Sequence, residues 1–174
     1  MRAILLFMVL FLAACTGKPG FNDASLSDRE FQLEEFFEGD LVAYGHFQDV
    51  LGTVRRRFEV KLNGTWDGTN LRLQEDFVYE DGETERRIWV FTKTGPDTWD
   101  GRADGVKGVA KGIENGDRFN FRYTIDLPVG DGETVRLSFN DWLWQVSEDR
   151  VLNKAYVKRF GVDVGELIIW FEKL

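Results

Sequence analysis

Apolar and polar residues alternate along most of the chain from Leu41 to the C-terminus. The segment 118–127 alternates without a fault, and the segments 54–62, 71–79 and 135–139 follow the same period of two. Side chains of an extended strand point alternately to its two faces, so this period predicts strands with one buried face. Counting such segments predicts about nine or ten strands.

Turn-forming dipeptides separate these segments, and each ends in a glycine that can supply the positive φ of a tight hairpin. They are Asn63-Gly64, Asp67-Gly68, Asp81-Gly82, Asp100-Gly101, Asp104-Gly105, Asn115-Gly116 and Asp131-Gly132. Such short connections predict an antiparallel meander, which hides its edges best by closing. We therefore predict an all-β fold, an antiparallel up-and-down barrel of about 8–10 strands that is lipocalin-like, in preference to an open two-sheet sandwich.

A short N-terminal helix is predicted before the first strand. Ser27 followed by Glu30 has the form of a capping box, and residues 31–37 suit a helix that ends near Gly39. A helix this short needs a surface to dock on. The last strand, 167–171, is apolar on both faces, so we expect the helix or a neighbouring strand to cover its second face.

The first fifteen residues form a separate signal. An apolar run from Ala3 to Ala14 precedes Cys15, the only cysteine of the chain. The run is shorter than the roughly 20 residues that span a bilayer as a helix. Residues 12–15, Leu-Ala-Ala-Cys, match a bacterial lipobox. We predict a lipoprotein signal peptide over 1–14, a lipidated Cys15 with a flexible tether over 15–26, and one barrel domain over 27–174.

Resemblance to bacterial lipoproteins implies acyl chains on Cys15 that hold the protein at a membrane. Several chains together anchor a protein firmly, whereas one chain is marginal. Thr16 stands where an aspartate would favour inner-membrane retention. The resemblance therefore implies the periplasmic face of the outer membrane rather than the inner membrane.

Composition restricts the partners and the chemistry. The net charge of −8 argues against nucleic acid and anionic headgroups, because both would repel the chain. His46 is the only histidine, so a typical zinc site is not expected, and we interpret it as structural. No nucleophile elbow and no phosphate loop occur. No metal, cofactor or catalytic residue is predicted.

Ionisable residues fall on the apolar faces of several predicted strands. Counting by twos, Arg56 shares a face with Phe58, and Asp141 shares a face with Phe139. A barrel interior of this kind predicts a pocket with an apolar body and a polar anchor. The candidate lining residues are Arg56, Glu75, Tyr79, Arg87, Trp89, Tyr123, Asp141 and Lys158.

Two interpretations of these interior charges remain open. Arg56 and Arg87 can hold a carboxylate or phosphate headgroup through bidentate contacts. Alternatively, Glu75 and an arginine neutralise each other and no ligand binds, since buried charges usually pair.

Several motifs resemble a bacterial lipoprotein family known only as a domain of unknown function. They are Glu75–Glu83 with Arg87-x-Trp89, Leu127-Pro128-Val129-Gly130, Asp141-Trp142 and Lys158-Arg159-Phe160-Gly161. The resemblance covers residues 33–173 and implies no established activity. Family members are often encoded near enzymes that modify fatty acyl chains, which implies a lipid as the ligand.

Three functions compete on this basis. The leading hypothesis is a membrane-anchored binding module whose barrel holds a fatty-acid-like or other amphiphilic ligand. The second is a structural or assembly lipoprotein with a solid core and a protein partner that the sequence does not identify. The third is an acyl-chain-modifying enzyme that uses Glu75 or Asp141 as a general base. A connected cavity of about 300 Å³ or more favours binding, and a filled core favours the second hypothesis.

Overall fold

The computed structural model describes residues 17–129 and 132–174. The predicted signal peptide and the lipobox cysteine lie outside these residues and stay predictions. One short helix, α1, and ten strands make up the fold. Their bounds are α1 Leu33–Phe37, β1 Gly39–Asp49, β2 Val54–Trp66, β3 Asn70–Tyr79, β4 Thr84–Gly95, β5 Thr98–Arg102, β6 Ala110–Asn115, β7 Arg118–Pro128, β8 Thr134–Gln145, β9 Arg150–Arg159 and β10 Val162–Lys173.

The ten strands form one closed antiparallel barrel. Each strand pairs with the next along the chain, and β1 pairs with β10 to close the sheet. In this closing pair Leu41 lies opposite Lys173 and Asp49 lies opposite Gly165. The predicted all-β up-and-down barrel is confirmed, and the open sandwich is wrong.

Period-two alternation places the apolar face of most strands inside the barrel. In β2, Phe58, Val60 and Leu62 are buried, while the residues between them are exposed. Hydrophobic burial thus accounts for the register, because a slip of one residue would turn every apolar side chain outward.

Strand β9 is the exception, and the predicted inward face of Lys158 is wrong. The inward residues of β9 are Val151, Asn153, Ala155 and Val157. Its outer face also carries large apolar side chains, and Tyr156 is half-buried there beneath the ammonium of Lys18. Because both faces of β9 look apolar in sequence, the period alone does not identify the inner one.

Residues 31–37 close one end of the barrel, and we call them the plug. The ring of Phe37 lies 5.3 Å from that of Phe171, and the ring of Phe31 stacks 6.0 Å from that of Phe119. We call the opposite end the mouth. It is formed by the β1–β2, β3–β4, β7–β8 and β9–β10 turns and by the β5–β6 connection.

The helix of the plug is shorter than the capping box predicts. It has five residues, and Ser27 instead donates its hydroxyl to Asp117 over 3.1 Å. The barrel supplies the missing cap, because the backbone N–H of Leu33 donates to a carboxylate oxygen of Glu114 over 2.6 Å. Long-range contacts with the β6–β7 hairpin therefore determine where the helix starts, and the local sequence does not.

Two of the predicted turns are interior strand positions. Gly64 lies in β2 and Gly101 lies in β5, whereas the glycines of the other predicted turns adopt positive φ. A Cβ at Gly64 would stand 1.7 Å from the carbonyl oxygen of Phe37, and one at Gly101 would stand 2.7 Å from the ring of Phe121. These glycines allow the plug and an interior ring to approach the wall closely.

Residues 17–25, which we call the N-terminal segment, lie against the outer wall of the barrel. The Lys18 ammonium pairs with Asp163 at 2.6 Å. Phe21 packs 4.9 Å from the ring of the buried Trp142. Arg118 donates to the backbone carbonyls of residues 20 and 23.

The outer face of β10 is only partly covered. Its inward side chains Leu167, Ile169 and Phe171 face the lumen, while Trp170 on the outer face stays partly exposed beside Tyr44. The expected cover by the helix is wrong, because the helix occupies the end of the lumen. Within the described residues, no helix combines the length and the apolar character needed to cross a membrane.

Candidate functional site

A cavity of about 340 Å³ lies inside the barrel between the plug and the mouth. Ligand pockets have volumes of about 300–1,000 Å³, so this cavity lies at the lower end of that range. Its wall is mainly aromatic and aliphatic, and it reaches from Phe37 in the plug to Leu127 near the mouth. The cavity favours a binding function over the solid core of the structural hypothesis.

Aromatic rings form a rigid belt across the middle of the lumen. Tyr123 and Phe139 stack in parallel with their ring centroids 4.9 Å apart. Trp89 contacts both Phe121 and Tyr123 edge-on at 5.1 Å. Stacked and edge-to-face rings hold one another in place, so the belt presents flat apolar surface to anything in the cavity.

A charged cluster interrupts this belt on the wall formed by β3 and β4. Glu75 and Arg87 lie directly opposite each other in the two strands. Arg87 also pairs with Glu85 at 2.5 Å, and Glu85 accepts a hydrogen bond from the Tyr79 hydroxyl at 2.9 Å. The guanidinium is thus surrounded by acidic groups of the chain itself.

Arg56 is likewise engaged, nearer to the mouth. It pairs with Asp81 at 3.0 Å and with Glu83 at 2.5 Å, and its guanidinium lies 3.5 Å from the centroid of the Tyr79 ring. Both interior arginines therefore already have carboxylate partners. The interpretation in which charges neutralise each other describes these arginines better than a free anion clamp does.

The carboxyls of Glu75 and Asp141 hold their protons far more tightly than usual. Burial raises the pKa of Glu75 to about 7, although the nearby Arg87 lowers it. Burial and then the nearby Glu75 raise the pKa of Asp141 to about 8, against the Tyr123 hydroxyl and Arg87, which lower it. Both side chains touch the cavity, but protein surrounds them, so the charged form is poorly solvated.

Asp141 also has an unmet hydrogen-bonding group. Its Oδ1 is buried and has no partner among the described residues. A buried polar atom without a partner costs about 1–3 kcal/mol, so a donor delivered by a ligand would be favourable here. Asp141 is therefore the natural polar contact for an occupant of the cavity.

The structure gathers seven of the eight predicted lining residues around one cavity. They are Arg56, Glu75, Tyr79, Arg87, Trp89, Tyr123 and Asp141. The eighth, Lys158, lies on the outer face, partly exposed and 3.8 Å from Asp163. Sequence reasoning missed Glu85, although it shares the period-two face of Arg87 and Trp89 and its position was therefore readable.

The remaining predicted chemistry lies elsewhere or lacks a partner. His46 is outside the cavity, with its Nε2 3.4 Å from Oε1 of Gln48. Among the described residues that line the cavity there is no serine, threonine or cysteine. Within the described residues, no group of three metal-ligating side chains comes together.

Asp141→Asn is expected to stabilise the protein at pH 8. Since the folded-state pKa of this carboxyl is raised, its contribution to stability is full below its ordinary pKa of 3.8 and is lost as the pH rises towards 8. The uncharged amide escapes this loss, and we expect a gain of about 2 kcal/mol at pH 8 that vanishes near pH 4. Urea unfolding at both pH values measures the difference.

The matched control is Asp76→Asn on the outer face of β3. Hydrogen bonds from Arg86 and Gln74 lower the pKa of Asp76, so its removal should not stabilise the protein at pH 8. A variant Asp141→Asn that is no more stable than the wild type at pH 8 would contradict this account of the lumen.

Comparisons with known proteins agree with this architecture. Residues 9–173 match the model of a family described as a protein of unknown function, DUF3833. No curated protein matches the chain.

Solved structures share the barrel at low sequence identity. An S-type phycobiliprotein lyase, CPES, from Guillardia theta superposes with a TM-score of 0.61 at 11% identity, covering 83% of this chain and 93% of the lyase. A protein of unknown function from the DUF3598 family of Nostoc punctiforme gives a TM-score of 0.52 at 12% identity. That match covers 91% of this chain but 53% of the larger protein. At such identities the likeness shows the fold alone.

Proposed function

This chain belongs to the DUF3833 family of proteins of unknown function, and from this premise we propose that its barrel binds a small amphiphilic molecule at a membrane surface. The observation that carries the proposal is an aromatic cavity of about 340 Å³ with an unpartnered carboxyl oxygen of Asp141 in its wall. The likeness to a phycobiliprotein lyase supports the barrel fold on which the proposal depends. The ligand is inferred from the residues of the lumen alone.

The apolar body of the ligand lies against the aromatic belt. Burial of each methylene group is worth about 0.8 kcal/mol, so an alkyl chain of moderate length supplies most of the affinity. Trp89, Phe121 and Phe139 offer flat surfaces for this chain. The volume of the cavity restricts the ligand to a small amphiphile with a single chain.

The polar end of the ligand is a hydrogen-bond donor, either uncharged or cationic. Glu75, Glu85 and Asp141 all line the cavity, whereas Arg56 and Arg87 are occupied by carboxylates. A second anion in this lumen would be repelled and poorly solvated. A fatty acid fits the site as the neutral acid, whose hydroxyl can donate to Asp141.

Competition among single-chain probes tests this choice. We expect dodecanol and dodecylamine to bind at least ten times more tightly than dodecanoic acid at pH 8, measured by calorimetry on protein freed of lipid. At pH 5 the acid should approach the alcohol, since it then enters protonated. Asp141→Asn should remove the advantage of the amine, and Asp76→Asn on the outer face should leave all affinities unchanged. Absence of binding, or tightest binding of the acid at pH 8, would contradict the proposal.

We also propose that acyl chains on Cys15 hold the barrel at the periplasmic face of the outer membrane. The support is the apolar run 3–14 followed by the lipobox residues and Thr16. Growth with an alkyne analogue of palmitate is expected to label the wild-type chain and to spare Cys15→Ala, which should also accumulate uncleaved. An unlabelled wild-type chain would contradict the anchor without affecting the proposed cavity site.

A further inference from the structure

We propose that the rim of the mouth is a bilayer-contact surface that turns the opening of the barrel towards lipid. The rim consists of the tips of the β1–β2 and β9–β10 hairpins. The inference deepens the proposed function and rests on it for the acyl anchor. It identifies a second contact with the membrane and the direction from which a ligand enters.

The tips of these two hairpins carry large apolar side chains that are mostly exposed to solvent. Leu51 is 86% exposed and Val50 is 62% exposed in the β1–β2 turn. Phe160 is 87% exposed and Val162 is 66% exposed in the β9–β10 turn. Clusters of exposed apolar side chains of this kind usually mark interaction sites.

Phe160 occupies a position where the backbone favours other residues. Its φ is +50°, and it is the one described non-glycine residue with a positive φ. Asparagine or glycine is the ordinary choice in this conformation. A bulky aromatic ring here contributes little to the core, since it points into solvent, so its presence suits a role outside the folded domain.

The apolar tips lie together on one side of the mouth. In the closed barrel β10 pairs with β1, so the β9–β10 and β1–β2 hairpins are neighbours around the rim. The β3–β4 turn stands elsewhere on the rim and carries Glu80, Asp81 and Glu83. The mouth therefore has an apolar side and an acidic side, and only the apolar side suits contact with lipid.

The N-terminal segment reaches the barrel on this same side. Along the chain, its contacts run from Lys18 with Asp163 at the start of β10, through Phe21 with Trp142, to Ser25 with Asp117 near the plug. The segment thus descends the outer wall from the mouth towards the plug. Cys15 lies three positions before Lys18, a reach of at most about 11 Å. Acyl chains on Cys15 would therefore hold the mouth, and not the plug, near the bilayer.

Basic side chains flank the apolar tips as the interface of a bilayer requires. The guanidinium of Arg159 lies 5.2 Å from the ring of Phe160, and Lys158 lies one position before it. Long basic side chains beside apolar ones can reach phosphates while their stems stay in the apolar layer. A bilayer accounts for the apolar tips, the basic flank and the position of the anchor together.

Site-specific fluorescence on the lipidated full-length product tests the orientation. Val50→Cys labels the rim and Val146→Cys labels the plug end, where Val146 is also exposed. Each protein is labelled with a bimane fluorophore and reconstituted into phosphatidylcholine vesicles that contain a nitroxide-bearing lipid. We expect at least threefold stronger quenching at position 50 than at position 146. Equal quenching at both positions, or stronger quenching at position 146, would overturn the proposal.

A double variant separates the rim from the anchor and from the cavity. Leu51→Asn with Phe160→Asn removes both tips, and asparagine suits the positive φ at position 160, so the barrel should melt no lower than the wild type. Quenching at position 50 should fall at least twofold while dodecanol affinity stays unchanged. Unchanged quenching would overturn the rim contact. If the rim binds a protein or a second copy instead of lipid, the nitroxide-bearing lipid should leave the fluorophore at position 50 unquenched, which would also overturn the proposal. The wild-type chain, carried through the same labelling reaction, tests the anchor separately, because a Cys15 without acyl chains would react with the bimane reagent.

Discussion

Arg87→Met is expected to lower the free energy of unfolding by about 3–5 kcal/mol at pH 8, the range found when one partner of a buried ion pair is removed. Methionine keeps much of the apolar stem but leaves Glu85 and Glu75 without their cation. Loss of Arg87 also removes the charge that lowers the pKa of Glu75, so this pKa should rise further above its ordinary value. The variant therefore loses stability as the pH rises from the ordinary pKa of Glu75 towards its raised pKa.

The pH dependence makes this prediction specific. We expect the deficit of Arg87→Met to shrink at pH 5, because Glu75, whose pKa burial raises to about 7, is then protonated and needs no cation. Urea unfolding at pH 5 and pH 8 measures it. Arg86→Met is the control, since Arg86 is the adjacent residue and pairs with Asp76 on the exposed outer face. Its removal should leave stability nearly unchanged. A deficit that is equal at both pH values would contradict the charged lumen described here.

Phe37→Ala is expected to lower the free energy of unfolding by about 3–5 kcal/mol, the usual range when a buried phenylalanine is replaced by alanine. The ring closes the end of the lumen against Phe36 at 5.0 Å and Phe171 at 5.3 Å. Its removal joins the cavity to the solvent at the plug. Thermal and urea unfolding measure the loss of stability, and faster exchange of the β10 amides should accompany it.

Phe160→Ala is the matched control for the plug, because its ring is exposed at the mouth. Its unfolding temperature and its urea midpoint should equal those of the wild type or lie slightly above them, since no core contact is removed. Equal losses for the two variants would contradict the assignment of residues 31–37 as the plug.

The sequence predicts the barrel and most of the lumen because both depend on local alternation. Charged residues such as Glu75, Arg87 and Asp141 could be placed inside by counting from their apolar neighbours. This works where one strand face is clearly polar, as in β2, where Arg55 and Arg57 alternate with inward residues. The side chains that meet across the lumen follow from the register and the closure of the barrel.

Features that depend on distant partners could not be predicted. The helix start depends on Glu114, which is 81 positions away in sequence, and the local signal at Ser27 points to a different start. Gly64 reads as a turn but makes room for the carbonyl of Phe37. Both faces of β9 carry apolar residues, so the sequence alone does not show that Lys158 points outward. The contact between Lys18 of the N-terminal segment and Tyr156 explains why the outer face is apolar as well.

The ligand chemistry also changes once partners are visible. An arginine on an apolar face suggests an anion clamp, but Arg56 and Arg87 each have carboxylates at salt-bridge distance. The partners of Arg56, which are Asp81 and Glu83, lie in the β3–β4 turn, outside the alternating strands. Glu85, the partner of Arg87, lies on the alternating inward face of β4 and could be placed from the sequence. The polar end of the proposed ligand is therefore matched to Asp141 and not to the arginines.

Titration of the lipid-free protein with 12-bromododecanol tests directly whether the lumen binds an amphiphile, because bromine quenches tryptophan only at short range. Trp89 lines the cavity, whereas Trp142 is buried under the N-terminal segment on the outer wall. We expect saturable quenching with one probe per barrel. Most of it should disappear in Trp89→Phe and persist in Trp142→Phe. Quenching that does not saturate, or that persists fully in Trp89→Phe, would contradict a binding site in the lumen.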